Sequence, residues 1–505
     1  MTGMQIGIIC FIAAFFILGL GMYFLIKRSG KRYVIAGKSL GFFLIGSMLL
    51  AQALDANATL GNAGATFGGG FWAGFQFPFG LALCLVVCGL FYAKPLNRMN
   101  LLTLPDFYFR RFGSLVEVIV GLLMAFSFII LVAGNLAGSA WILSTIFPRI
   151  PYLASLFIMT GVVGLYTVAG GLFACAATDV VQIYPAIAGF LAAFIWLLVT
   201  YGWGNFKAAI PPDFLNLSGL TKVENGALLN WAGILALGLG DVIALDFMER
   251  IFAARTGKIA SRSCYWGAGF TILVGIAASL MGMMALTLIP GGVDDPRTVL
   301  PTLAIRGVPF IFGLFIMGGI IGAGLSTADG GILGVSTVLG RNILQRNLIL
   351  RPWSRKRKVG THAQDTEEQK KISDRRLLII SRLMAIPVVL ASIWVAYVKP
   401  EPGILLVLAF DVVFAGCFVP LTLGLYWKKA NRYGALAAVI IGSILRLILY
   451  FTIPLELAGL DTLIPPVVSL IVMVPVSLAT QKVDPPRHHV VNEIPSDEVV
   501  LAAEA

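Results

Sequence analysis

The sequence predicts an all-α integral membrane protein of about thirteen transmembrane helices, and three observations carry that expectation. Hydrophobic residues make up 58% of the 505 residues and charged residues 12%, against roughly half and a quarter in globular chains. The apolar stretches run unbroken instead of alternating in the rhythm of a membrane barrel, so they read as helices. Basic residues concentrate in every second connection, as the positive-inside rule requires. A mean hydropathy of +0.90 excludes a soluble nucleotide-binding enzyme, a disordered chain and a secreted disulfide scaffold. Little polar sequence remains for a catalytic domain, so no enzyme is expected.

Each span needs roughly 20 helical residues to cross the hydrocarbon. The stretches that supply them fall near 4–26, 41–64, 72–93, 115–142, 151–169, 173–201, 228–248, 264–289, 307–340, 377–398, 402–427, 433–452 and 462–480. The first lacks a positive n-region and a small-residue cleavage site, and reads as an uncleaved anchor. The second, GSMLLAQALDANATLGNAGATFGGG, is interrupted by polar and small residues from Gln52 to Asn62. The seventh is interrupted similarly at LGLGDVIALDFMER. Broken helices free backbone carbonyls toward a cavity, as transporter binding sites require. Two breaks five spans apart are what an inverted repeat of five helices plus five produces. In the ninth span Gly318, Gly322, Ser326 and Gly330 recur every four residues, a small face that admits a close neighbour.

With the first helix starting outside, 30 of the 37 basic residues lie inside, six outside, and Arg446 within a span. This orients the amino terminus outside and the carboxyl terminus in the cytoplasm, across the plasma or inner membrane. The net charge of +12 is then an orientation signal, and its partner is membrane lipid, not nucleic acid. Residues 341–376, with RKRK and DTEEQKK, are too charged to fold alone, and the tail from Gln481, with Pro485, Pro486 and scattered acids, is expected to hang free. The six cysteines sit in apolar spans and read as core packing; Cys84 and Cys88 alone make no zinc site. The only histidines, His362, His488 and His489, lie in the polar pieces, so none serves an intramembrane proton relay.

Ionisable groups within spans are costly and mark functional sites by default. Here they are Asp55, Asp179, Asp241, Asp246, Asp329 and Asp411, with Arg446 the only cation and expected to snorkel to the outer interface. Surplus carboxylate calls for mobile cations or protons to complete the balance; capping of broken helices or protonation is the plainer alternative. Ser326 and Thr327 place two hydroxyls on adjacent positions, which suit sodium together with freed carbonyls, or else bond across helices.

The stretch YTVAGGLFACAATDVVQ, Tyr166 to Gln182, closely resembles the signature of the sodium/solute symporter family. STADGGILGVS resembles that family's sodium-binding helix, and FMERIFAART, Phe247 to Thr256, its basic turn after the seventh span; the similarity runs from about Arg32 to Trp427. The resemblance implies a leucine-transporter-like core of ten helices over 31–430. One extra helix at 1–30 precedes it, two at 431–480 follow, and 481–505 form a cytoplasmic tail. It implies one sodium ion held by the backbone carbonyls of Ala53, Ala56 and Ala323 with the hydroxyls of Ser326 and Thr327. Asp179 would support coupling or a second sodium. Members with a second sodium have hydroxyls at the two positions that here read Asp329 and Gly330, which leads us to expect one sodium per solute.

By the same resemblance a small organic solute lies beside the sodium. The matching stretches offer Asp55, Asn57, Phe75, Gln76, Asn135, Asp241, Asp246 and Asp411. Aromatic rings with surplus carboxylate suit an amine-bearing or zwitterionic solute, although Phe71 to Phe77 also reads as an interfacial aromatic belt. The expected function is sodium-driven symport without an obligatory protein partner. A proton-driven carrier of the same fold, or a transporter-like sensor acting through a partner, are the alternatives.

Overall fold

The computed structural model describes residues 1–26, 29–289, 293, 295–350 and 367–488. Lys27, Arg28, His362, His489, the RKRK run and the end of the tail lie outside them. Among the described residues the chain is helical throughout, with one isolated bridge between Leu40 and Ala254. Helix α1 (Gly3–Gly21) opens on a capping box formed by Thr2 and Gln5. The first broken span follows as α2 (Phe42–Ala53) and α3 (Ala56–Gly69), bent by 42°. Then come α4 (Phe71–Val87), the short α5 (Pro105–Phe112) and α6 (Ser114–Ile146).

Helix α7 (Tyr152–Tyr201) is where thirteen spans were expected to contribute two. It is assigned as one 50-residue element, interrupted at Gly171, where φ 50° and ψ −149° are open to glycine and not to a residue with a side chain. A Cβ there would also strike Tyr33 at 2.5 Å. By length and composition nine helices among the described residues are able to cross a membrane, or up to twelve when each bent pair counts as one. Thirteen is not reached by that count, because the two expected spans on either side of Gly171 are one helix in it.

The second half holds α8 (Ala227–Leu235), which unwinds through 236–243 and restarts as α9 (Leu245–Ala253), a bend of 47°. After it run α10 (Gly257–Leu288), α11 (Phe310–Thr337) and α12 (Glu367–Val398). A third broken span, not expected, joins α13 (Pro402–Gly416) to α14 (Phe418–Tyr426) at 48°. The carbonyl freed there, on Cys417, accepts from the Tyr108 hydroxyl at 2.8 Å. Helices α15 (Arg432–Thr452) and α16 (Leu460–Ala479) pack on each other at the end of the fold.

The glycine face of α11 is used on several sides. A Cβ on Gly318 or Gly322 would strike Phe11 or Phe15 of α1, and one on Gly319 would strike Ala186 of α7. Beyond α11 the chain continues helically over Val338–Leu350, so the first part of the expected free loop is ordered. It is held by charge. Arg341 and Arg346 both pair with Asp106 of α5, Arg346 at 3.0 Å, and Arg346 also reaches Glu117 of α6 at 2.5 Å. Burial alone would raise the Asp106 carboxyl, but these guanidiniums outweigh it and hold it below its usual range.

Candidate binding site

The two expected helix breaks meet at the centre of the molecule. The ends of their spans are tied by backbone bonds, Leu40 N–H to the Ala253 carbonyl at 3.1 Å and Arg255 N–H to the Leu40 carbonyl at 3.0 Å. A helix end leaves the carbonyls of its last turn without intrahelical partners, and α2 ends at Ala53. Asp55 caps the restart: its Oδ1 accepts from the Ala58 N–H at 2.7 Å, and Oδ2 from the Asn135 amide at 2.6 Å. Asp55 is thus partly a capping residue, the plainer of the two roles open to such an aspartate.

Ala53, Ala56, Ala323, Ser326 and Thr327 are all buried. Next to Ala323, a Cβ on Gly324 would come within 2.7 Å of the Ala56 Cβ, so α11 lies directly against the start of α3. The Ser326 hydroxyl donates to Asp179, which leaves its lone pairs free. Neutral oxygens of this kind, carbonyls at a helix break together with two hydroxyls, fit a hard monovalent cation.

Asp179 itself is not free. It receives Ser326, the Gln182 amide at 3.3 Å and the Arg250 guanidinium at 3.3 Å, with both members of the ion pair fully buried. Arg250 was expected in a basic turn. The structure corrects this: α9 continues past the break at a bend of 47° and is buried, so Arg250 and Glu249 are interior residues. Arg250 donates to the Asp246 carbonyl at 3.0 Å. With its amide oriented so that both neighbours are satisfied, Gln52 bridges the same group, donating to the Asp246 carboxylate and accepting from Arg250.

Asp241 lies at the second break, and faces Asp246 and Asp55. Its Oδ2, with the side-chain oxygens of Asn57 and Asn135, is buried without a hydrogen-bond partner among the described residues. Asn57 instead donates its amide to the Leu131 carbonyl at 3.1 Å.

Other candidates lie elsewhere or are engaged. Phe75 stacks on Phe71 at 4.7 Å and packs with Trp72 and Phe79 in one aromatic cluster on α4. The Gln76 amide is spent on the Ala73 carbonyl and Asn230. Asp411 pairs with Arg446, which also meets Asp461 at 3.0 Å. Arg446 therefore does not snorkel; Asp411 and Asp461 hold it buried, at 5% exposure, and it in turn engages Asp411 within the fold.

Closure of one end is visible. Gly61 and Gly403 touch, a Cβ on either falling within 2.8 Å of the other's Cα, and Pro296 sits on Gly64. Beyond them opens a cavity of about 430 Å³ lined in part by Phe77, Asp295, Arg297 and Glu401. Arg297 lies over the Trp141 ring at 4.4 Å and is fixed by Asp295. With Ser326 fully buried and Asp55 1% exposed, the centre is reached only if helices move.

The half-helices broken around buried oxygens form a fold that solved transporter structures share. One similar structure is a substrate-bound, outward-open Na+-coupled sialic acid symporter: TM-score 0.71, 16% identity, covering 96% of this chain and 98% of that one. A nucleobase-cation-symport-1 family transporter in a closed conformation gives a TM-score of 0.55 at 14% identity, over 90% of this chain and 95% of that one. The fold is leucine-transporter-like.

Sequence comparison then gives the family. The family model described as sodium:solute symporter family matches residues 33–442, and the chain belongs to that family. Among its relatives, a Drosophila melanogaster high-affinity choline transporter is 26% identical over 83% of this chain and 67% of the relative. The high-affinity proline transporter PutP of Bacillus subtilis is 27% identical over 83% of this chain and 87% of the relative.

Proposed function

We propose that the protein imports a small amine-bearing or zwitterionic solute by sodium-coupled symport. The observation that carries the solute class is the set of acceptors at the meeting of the two breaks. Among the described residues, Asp241 Oδ2, Asn57 Oδ1 and Asn135 Oδ1 are buried without donors, near Asp55 and Asp246. Unsatisfied buried acceptors are costly, and a positively charged nitrogen is the ligand that offsets them. The relatives support this reading, since choline and proline both carry such a nitrogen. Sodium is assigned to the Ala53, Ala56 and Ala323 carbonyls with Ser326 and Thr327. Alternating access would open and reclose the Gly61–Gly403 contact, on the side that the distribution of basic residues makes the outside.

The test is binding of labelled solutes to the purified protein in sodium and in potassium buffer, with Asp241→Asn in parallel. Sodium-dependent binding of an amine-bearing solute, lost in the variant, is expected. Sodium-dependent binding of a sugar or a simple carboxylate would overturn the solute class, and binding indifferent to sodium the coupling. A proton-driven carrier is the second reading, favoured by Glu249, whose carboxyl oxygens are buried without a hydrogen-bond partner among the described residues. It predicts uptake in potassium buffer under a proton gradient, where sodium symport predicts none.

A further inference from the structure

We propose that Arg250 is a resident cation: its guanidinium fills a second cation position beside the sodium ligands, fixes the coupling at one sodium per solute, and ties the second broken helix to the sodium site. The proposal rests on the sodium-coupled reading above. Four observations carry it.

Asp179 is shared, receiving the Ser326 hydroxyl on Oδ1 and the Arg250 guanidinium on Oδ2. The carboxylate that a second sodium would need is therefore already neutralised, by a group that cannot be transported. Space for the guanidinium comes from Gly330, where a Cβ would lie 3.0 and 3.2 Å from its two terminal nitrogens. A hydroxyl-bearing residue at 330, which would add an ion ligand, would therefore crowd the arginine; cation and side chain compete for one volume. Arg250 also belongs to α9, one turn after Asp246, whose carbonyl accepts from it at 3.0 Å. A displacement of α9 on solute binding at Asp241 and Asp246 would thus pull on Asp179 and, through it, on Ser326. Finally, Gln52 of α2 bridges Asp246 and Arg250, so both broken helices share the group.

An unpaired buried carboxylate is far more costly than an ion pair, so an arginine-free variant should accept a substitute cation of the same shape. The experiment reconstitutes wild type and Arg250→Ala in sealed vesicles and reads three quantities. These are the sodium-to-solute ratio from reversal potentials, sodium-driven uptake, and the sodium-induced shift in thermal unfolding. The wild type should give a ratio of one. The variant should lose at least tenfold in uptake and most of the thermal shift, and millimolar guanidinium ion should restore both while leaving the wild type unchanged. A ratio of two in the wild type overturns the proposal whether or not the variant folds. A folded variant that guanidinium does not rescue, or that keeps normal sodium dependence, overturns it too. A wild type whose uptake ignores sodium would instead refute the sodium-coupled reading, so the two failures are distinguishable.

Discussion

Replacing Ser326 by Ala removes one oxygen from two partners at once. In the structure this hydroxyl is fully buried and donates to Asp179, and in the proposed site it is also a sodium ligand. Water has no access to replace either contact. A hydrogen bond or ligand to a charged group is worth about 1.5–3 kcal/mol, which converts to roughly 10- to 150-fold weaker sodium activation. Asp179 keeps Gln182 and Arg250, each at 3.3 Å, so the fold should survive. Thr327→Ala removes an assigned ligand without touching Asp179, and should weaken sodium activation without the second effect. Because binding linkage is reciprocal, solute affinity at low sodium should fall by the same factor as sodium affinity. The assay is initial uptake of labelled solute in proteoliposomes over a sodium series, with sodium-induced thermal stabilisation of the purified protein in parallel. A well-folded Ser326→Ala protein with unaltered sodium dependence in both would refute the site.

Other consequences are equally direct. Gly403→Ala places a Cβ 2.8 Å from the Gly61 Cα. Overpacking of this kind costs about 1–3 kcal/mol, so the gate should open more often and a cysteine at position 60 should label about tenfold faster; an unchanged rate contradicts the closure. Arg446→Met leaves Asp411 buried without its partner, which costs about 3–5 kcal/mol. The melting temperature should drop clearly and recover when Asp411→Leu is added; no recovery contradicts the pairing. Asp106 is held below its ordinary value by Arg341 and Arg346. Its contribution to stability is therefore complete above the unfolded pKa of about 3.9 and fades as pH falls through the depressed folded pKa. The melting-temperature gap between wild type and Asp106→Asn should accordingly narrow from pH 7 to about pH 3; a gap that widens contradicts the assignment.

Much of this architecture was legible in the sequence, for reasons that differ by residue. The first two breaks announce themselves because Asp55, Asn57, Asp241 and Asp246 interrupt apolar runs that otherwise need no polar atom. The third break, at Cys417, lies in FAGCFVPLTL; no polar interruption marks it, and its freed carbonyl is satisfied by Tyr108, more than 300 residues away. Arg250 was missed because MERIFAAR reads by composition as a solvated turn. Whether such a segment faces water or packs into the interior depends on the direction of α9, a tertiary fact. The adjacent Glu249, buried with no hydrogen-bond partner among the described residues, was the same kind of omission. Asp411 and Arg446 each looked solitary along the chain, and only the packing of α15 against α13 brings them together. Gln76 and Phe75 sit on the expected helix but on a part of it engaged by Asn230 and by other rings.

The central claim is that the sodium gradient drives solute inward, and concentrative uptake tests it most directly. One sodium ion moving down about 100 mV and a tenfold gradient releases roughly 3.7 kcal/mol, enough for about 500-fold accumulation of a neutral or zwitterionic solute. Sealed vesicles holding the purified protein, given an inward sodium gradient and an inside-negative potential, should accumulate a bound solute far above its external concentration. Collapsing the sodium gradient while keeping a proton gradient should abolish accumulation. Accumulation that persists without sodium, or uptake that only equalises the two sides under the full gradient, would contradict the account.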